Sequence, residues 1–184
     1  MKKFYDTAVI GSGLTGLTVA LALSSLKYKI ALIDPNRLSC NKKRNVDNRT
    51  TAISSGSIDF FKKIGLWTRL KEFACPIEKI LVEELSSDIQ SVFKTNKKSN
   101  TQMGFMIENK NILNTLKNLA KSDTNITKFN AKLLSYNIDK NKACINLDSN
   151  ERIAAKLIIG ADGKNSYLRK LANIKFLQKD YKQK

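Results

Sequence analysis

Residues 8–16 contain the feature that most restricts how this chain can fold. Three glycines, Gly11, Gly13 and Gly16, follow a short apolar run and precede a helical pattern of leucine and alanine. A second apolar run ends in Asp34, about 20 residues after the glycines. A strand, a glycine-rich turn, a helix and a second strand that ends in an acid form the unit that holds the ADP part of a dinucleotide. The sequence therefore predicts an α/β, Rossmann-like fold with a parallel sheet.

Each glycine of this turn has its own predicted role. Gly11 permits a sharp turn out of the first strand, and Gly13 lets a diphosphate approach the bare backbone. Gly16 lets the helix lie close to the sheet, and the start of the helix directs its free N–H groups at the phosphates. Asp34 accepts hydrogen bonds from ribose hydroxyls and would repel a 2′-phosphate, which favours FAD or NAD over NADP. The other predicted cofactor-binding residues of the turn are Ser12, Leu14 and Thr15.

Composition limits the chemistry that the chain can perform. The sequence has no histidine, which excludes Ser-His-Asp catalysis, Cys-His catalysis and histidine metal sites. Cys40, Cys75 and Cys144 lie far apart and match no zinc or redox spacing, which is typical of plain thiols in a reducing, cytoplasmic setting. No apolar run approaches the roughly 18 residues of a membrane span. We assign no metal ligand and no catalytic residue.

The formal net charge of +17 has three interpretations. Lysine supplies most of the basic residues and asparagine is also abundant, so an AT-rich genome is a sufficient explanation. Attraction to an acidic lipid surface is a second interpretation. Binding to nucleic acid is a third, but the basic segments are not interleaved with aromatic residues as in a nucleic-acid-binding module.

Apolar periodicity and turn residues give a coarse secondary structure. The first helix is expected to be almost entirely buried, Gly65 is expected to end the second helix, and Trp67 is expected to pack in a core. Residues 160–163 place Asp162 at the carboxyl end of a strand, where ligands bind in open α/β sheets. Helices are predicted at residues 14–26, 54–64, 66–70, 108–121 and from Ser166 onward. Strands are predicted at residues 4–10, 29–33, 80–85, 89–93, 103–107, 125–129, 131–138, 143–147, 152–154 and 155–159.

Taken together, these motifs resemble a known family. The glycine turn, Asp34, Arg49 and the run Gly160-Ala-Asp-Gly163 occur in the order found in FAD-dependent monooxygenases of the p-hydroxybenzoate hydroxylase fold. Three further matches resemble the hydroxylases of ubiquinone biosynthesis within that superfamily. They are Arg49-Thr-Thr-Ala-Ile-Ser, Ile64-Gly-Leu-Trp67 and Ile107-Glu-Asn-Lys-Asn-Ile-Leu113. The resemblance extends over residues 4–175 and covers the N-terminal part of such a protein.

The resemblance implies roles for further residues. It implies that Arg49 reaches the phosphate region of FAD and that Asn109 lies near the flavin side chain. Asp162 and Gly163 would form the family's Asp-Gly motif, with Arg169 downstream, which is associated with FAD and with reduced nicotinamide. The alternatives are that Arg49 is a surface arginine and that Asp162 caps the following helix.

The resemblance also implies a reaction and a domain layout. NAD(P)H would serve as reductant, and one atom of O₂ would be inserted into an aromatic ring, here a polyprenyl phenol of the ubiquinone pathway. Peripheral contact with the inner face of a membrane, or with other quinone-pathway proteins, is also expected, and nucleic acid is not. The alternatives are another flavin oxidoreductase of the same fold, such as a prenyl-lipid reductase, and a non-catalytic FAD-binding fragment. The predicted segments are FAD-binding parts at 1–75 and 107–175, first strands of a substrate-domain sheet at 76–106, and a truncated continuation at 176–184.

Overall fold

The structure is a computed structural model, and it contains two compact units. Unit 1 comprises residues 1–38 and 120–184, and unit 2 comprises residues 39–119. The residues that the structure describes are 3–38, 47–84, 89–94, 102–179 and 181. In chain order the elements are β1 (Lys3–Ile10), α1 (Leu14–Ser25), β2 (Ile30–Ile33), β3 (Thr50–Ser54), α2 (Ser55–Lys63), α3 (Trp67–Leu70), a 3₁₀ turn (Lys71–Phe73), β4 (Cys75–Pro76), β5 (Lys79–Glu83), β6 (Gln90–Lys94), β7 (Gly104–Glu108), α4 (Asn109–Ser122), β8 (Ile126–Phe129), β9 (Leu133–Asp139), β10 (Lys142–Leu147), β11 (Arg152–Gly160) and α5 (Tyr167–Leu171).

Unit 1 is built on a six-stranded sheet with the strand order β8-β2-β1-β11-β10-β9. The strands β8, β2, β1 and β11 are parallel, and β10 and β9 continue the sheet as an antiparallel meander. All four residues of β2 are buried, as expected for a continuous apolar run inside a parallel sheet that is covered on both faces. The parallel sheet and the meander that the sequence predicts are both confirmed.

The core of unit 1 is formed by the central strands and their neighbours. Val9 and Leu32 on β1 and β2 are completely buried, as is Leu17 on α1. Tyr5 and Phe129 pack edge to face, with ring centroids 5.8 Å apart. These buried strands lead at their carboxyl ends into the glycine turn and Asp34.

Two details of unit 1 differ from the sequence-based expectation. The prediction that α1 is almost entirely buried is wrong: only Gly16, Leu17, Ala20 and Ser24 are buried, because one face of α1 packs on the sheet while the rest is partly accessible. The strands predicted at 152–154 and 155–159 are one continuous strand, β11. Its first half pairs with both β10 and β1, so that a single strand serves the meander and the parallel sheet.

Unit 2 contains a small antiparallel sheet with the order β3-β7-β4. The sequence analysis placed no strand at β3, whose five residues pair with β7 along their whole length. The backbone of Gly65 has a φ of +73°, which confirms the predicted end of α2. Trp67 is half-buried and packs against Phe105 at 5.1 Å between ring centroids, so it contributes to the core of this unit.

The strands β5 and β6 form a separate two-stranded ribbon, as predicted. All ten of their residues are exposed. Ile80 pairs directly with Phe93, and Val82 and Ser91 form the next pair on the same face. The assignment of this ribbon to a substrate-domain sheet stays a prediction, as do the segment boundaries at 75, 106 and 175.

No helix in the described parts of the chain is both long and apolar enough to cross a membrane.

Candidate nucleotide-binding site

The turn after β1 requires glycine at its first position. Gly11 has a φ of +103°, in the left-handed region that residues with a Cβ rarely adopt. A Cβ at this position would also overlap the carbonyl oxygen of Ala161, at the end of β11. The N–H of Gly11 donates to the carbonyl oxygen of Ile33 at 2.8 Å, which ties the turn to the tip of β2. The predicted sharp turn is therefore present.

The other two glycines differ in what surrounds them. A Cβ on Gly16 would overlap the carbonyl oxygen of Gly11, so the first turn of α1 can lie against the glycine turn only without a side chain. A Cβ on Gly13 would meet no atom within 4 Å. Gly13 is the N-cap of α1 and makes no side-chain cap, and no acidic residue lies in the first helical turn. The start of α1 thus has no side-chain cap and no acid of its own, and the space at Gly13 is open, which fits an anion such as a diphosphate.

Asp34 is held against this turn by backbone hydrogen bonds. One carboxylate oxygen accepts from the N–H of Ser12 at 2.7 Å, and the other accepts from the N–H of Asn36 at 2.8 Å. Burial raises the pKa of Asp34, but these two N–H groups and the nearby Lys128 ammonium outweigh that effect, so the pKa lies below its ordinary value. The acid is ionised at neutral pH, and a carboxylate has further lone pairs with which to accept from ribose hydroxyls.

Lys128 is a residue of this site that the sequence analysis missed. Its ammonium donates to the carbonyl oxygen of Asp34 at 2.8 Å. Lys128 lies on β8, which pairs in parallel with β2, and its register partner is Leu32. The site therefore contains a cation beside the acid, brought there by strand order.

A cavity of about 250 Å³ in unit 1 connects the predicted residues. Gly11, Asp34 and Asp162 all line it, together with Asn36 and Leu133. The structure thus brings together the glycine turn, the acid after β2 and the Asp-Gly pair after β11. This is the crevice at the carboxyl ends of parallel strands, where ligands bind in open α/β sheets.

Asp162 accepts hydrogen bonds from the start of the following helix, α5, whose N-cap is Ser166. Its carboxylate accepts from the Ser166 hydroxyl and from the N–H groups of Tyr167 at 2.6 Å and Leu168 at 3.1 Å. Burial raises the pKa of Asp162, but these hydrogen bonds outweigh it and keep the pKa below its ordinary value. Gly163 has a φ of +85°, which allows the chain to turn directly after the acid. The helix-capping interpretation therefore describes the contacts of Asp162, and its cofactor role stays a prediction.

The two remaining predicted residues, Arg49 and Asn109, lie in unit 2. The Arg49 guanidinium pairs with the carboxylate of Asp47, at 2.8 Å from Nε and 2.9 Å from Nη2. The N–H of Asn109 donates to the carbonyl oxygen of Arg49 at 2.9 Å. The structure therefore brings Arg49 and Asn109 into contact with each other within unit 2. Asp47 is a partner that the sequence analysis missed, although its position two residues before Arg49 is a local signal.

The lowered pKa values of Asp34 and Asp162 predict how unit 1 responds to acid. Each carboxylate stabilises the fold fully above the unfolded pKa of about 3.9, and this contribution is lost as pH falls through the lower, folded pKa. The free energy of unfolding should therefore fall steeply below about pH 4. Urea unfolding followed by circular dichroism between pH 7 and pH 3 measures this. The double variant Asp34→Asn, Asp162→Asn should show a smaller fall, and a fall equal to that of the wild type would contradict the assignment.

The fold and the glycine turn define a dinucleotide-binding protein with a Rossmann-like sheet. Comparison with known proteins identifies the family: the profile of the family described as FAD binding domain matches residues 5–183. The chain belongs to this FAD-binding family. Among solved structures, p-nitrophenol 4-monooxygenase from Pseudomonas putida has the same fold, with a TM-score of 0.74 over 94% of this chain and 44% of its own, at 16% identity.

The curated relatives that the chain matches include two enzymes named for ubiquinone or demethoxyubiquinol chemistry. The chain is 30% identical over 194 residues to the mitochondrial ubiquinone biosynthesis monooxygenase COQ6 of Caenorhabditis elegans, covering 98% of this chain and 43% of the relative. It is 26% identical over 174 residues to the 3-demethoxyubiquinol 3-hydroxylase of Escherichia coli, covering 92% of this chain and 44% of the relative. The chain therefore spans less than half the length of the curated relatives that it matches.

Proposed function

We propose that this chain is the nucleotide-binding portion of an FAD-dependent, NAD(P)H-using monooxygenase that hydroxylates a polyprenyl phenol in ubiquinone synthesis. Membership of the FAD-binding family supports the cofactor. The names of the relatives, which include a ubiquinone biosynthesis monooxygenase and a demethoxyubiquinol hydroxylase, support the reaction and the aromatic substrate. The single observation that carries the proposal is the open space at Gly13 beside the anchored carboxylate of Asp34.

The residues of unit 1 fit the ADP end of FAD. The diphosphate would lie over Gly13 and the N–H groups that begin α1, where the helix dipole favours negative charge. Asp34 would accept from the ribose, with Lys128 compensating part of its charge. Asp162, through its hydrogen bonds to the start of α5, would hold the turn after β11 at the rim of the same cavity. Arg49 and Asn109 are proposed to bind the phosphate region and the flavin side chain.

FAD would supply the redox and oxygen chemistry, while the protein binds and orients it and excludes water. O₂ and a prenylated phenol are proposed as the co-substrates. A chain of net charge +17 favours peripheral contact with an anionic membrane surface, where such a substrate would reside.

Nucleotide titration tests the proposal on the 184-residue chain itself. ADP should bind with most of the affinity of FAD, because unit 1 contacts the ADP end, whereas FMN should bind far more weakly. Isothermal titration calorimetry measures all three. Gly13→Val should remain folded, since the space at this position is open, but should lose both ADP and FAD. Tight binding of FMN, or undiminished binding by Gly13→Val, would contradict the proposal.

A further inference from the structure

A cluster of four polar residues joins the start of β3 to the start of α4 in unit 2. The carboxylate of Asp47 contacts both the Arg49 guanidinium and the side-chain amide of Asn109, the latter at 3.4 Å. The carboxamide oxygen of Asn109 in turn accepts from the Thr51 hydroxyl. Two of the four members, Arg49 and Asn109, are the residues proposed to contact the cofactor.

The geometry of the ion pair is the geometry with which arginine binds a phosphate. Asp47 occupies the side of the guanidinium formed by Nε and Nη2, with two short, parallel hydrogen bonds. Carboxylates and phosphates compete for this bidentate position. The Oδ1 atom of Asp47 also accepts from the backbone N–H of Arg49 at 3.0 Å, which orients the carboxylate toward the guanidinium in the absence of a ligand.

We propose that Asp47 is a positioning residue that serves as an internal anion for Arg49, and that a phosphate of the cofactor displaces it. This inference rests on the proposed function, in which Arg49 binds the phosphate region of FAD. When the carboxylate leaves, the Nε and Nη2 groups of Arg49 become available to the phosphate. The side-chain NH₂ group of Asn109 is also released from Asp47. One exchange of anions thus releases both residues for the ligand.

The surroundings of the pair allow this exchange. The Arg49 side chain is 81% exposed and that of Asp47 is 34% exposed, so the ion pair is solvated and weakly held. Meanwhile the Asp47 carboxylate neutralises the guanidinium that an incoming phosphate would contact. The acid therefore keeps Arg49 oriented in the free protein and lowers its net attraction for the ligand.

The substitution Asp47→Asn tests the inference by a gain of affinity. The side chain keeps its shape but loses its charge, so FAD should bind about two- to fivefold more tightly, the range that an exposed ion pair allows. The gain should shrink in 0.5 M NaCl because salt screens exposed charges. Asp47→Glu, which restores the carboxylate, should return the Kd toward that of the wild type.

Asp59→Asn is the matched control. Asp59 is also an exposed acid of unit 2, and it pairs with Lys62 at 3.1 Å. Its removal changes the net charge by the same amount, so an equal gain in both variants would show a general charge effect and overturn the inference. The gain should also disappear in the double variant Asp47→Asn, Arg49→Ala.

The outcomes separate this inference from the proposed function. If the wild type binds FAD and Asp47→Asn binds it no more tightly, the inference is wrong and the proposed function stands. If the wild type binds neither FAD nor ADP, the proposed function fails, and the inference fails with it. A lower melting temperature of Asp47→Asn without tighter binding would assign Asp47 a structural role only and would also overturn the inference.

Discussion

Replacing Gly11 by alanine is expected to lower the free energy of unfolding by about 3–5 kcal/mol. Two effects contribute. The backbone φ of +103° is strained for any residue with a Cβ, and that Cβ would overlap the carbonyl oxygen of Ala161. Since the overlapping atom belongs to the backbone directly after the neighbouring strand β11, it cannot rotate away as a side chain would. A loss of this size is a large share of the stability of a typical domain.

Urea denaturation followed by far-ultraviolet circular dichroism measures this loss. Gly13→Ala is the matched control in the same turn, because the added Cβ meets nothing within 4 Å, and it should change stability little. Gly56→Ala lies in α2 with the same open surroundings, and it should be neutral or stabilise by up to about 1 kcal/mol. If Gly11→Ala unfolds at the urea concentration of these two controls, the close approach of the turn to β11 is wrong.

Replacing Asp34 by alanine is expected to weaken the binding of both ADP and FAD by about 10- to 100-fold. The variant loses a charged acceptor for the ribose hydroxyls, and hydrogen bonds to charged groups are about twice as strong as neutral ones. It also leaves the N–H of Ser12 without its carboxylate partner, which should loosen the turn whose amides are proposed to bind the phosphates. Both consequences act on the ADP end of the ligand.

Asp6→Ala is the control for this second experiment. Asp6 is an acid of the same unit, pairs with Lys156 at 2.8 Å and does not line the cavity. Its removal changes the net charge equally, so it should leave the Kd for ADP within about twofold of that of the wild type. An Asp34→Ala protein that binds ADP as the wild type does, while remaining folded, would show that the carboxylate does not face the nucleotide.

The elements that local pattern determines could be predicted from the sequence. The glycine spacing and Asp34 placed β1, α1 and β2 within one residue of their bounds, because turn, helix and strand follow one another directly. Gly65 and Ser166 marked helix ends because each acts through its own backbone or hydroxyl: Ser166 accepts from the N–H of Arg169 at 3.0 Å.

What depends on strand order could not be predicted from local pattern. Lys128 reaches Asp34 because β8 pairs with β2, a neighbour nearly a hundred residues away along the chain. The strand β3 was missed because five residues that lead into a helix show too few alternations to stand out. The continuity of β11 was missed because the pattern of its apolar and basic residues changes in the middle of the strand. At that point the pairing with β10 ends, and within the described residues β11 continues with β1 as its only partner.

The hydrogen bond between Ser12 and Asp34 has a thermodynamic consequence. The same carboxylate joins the tip of β2 to the glycine turn and lines the cavity, so binding of a ligand in the cavity and docking of β2 are linked equilibria. A nucleotide at a hundred times its Kd adds about 2.7 kcal/mol to the folded state of such a unit. Under the proposed function, the supply of cofactor would therefore govern how long the folded chain persists against unfolding and proteolysis.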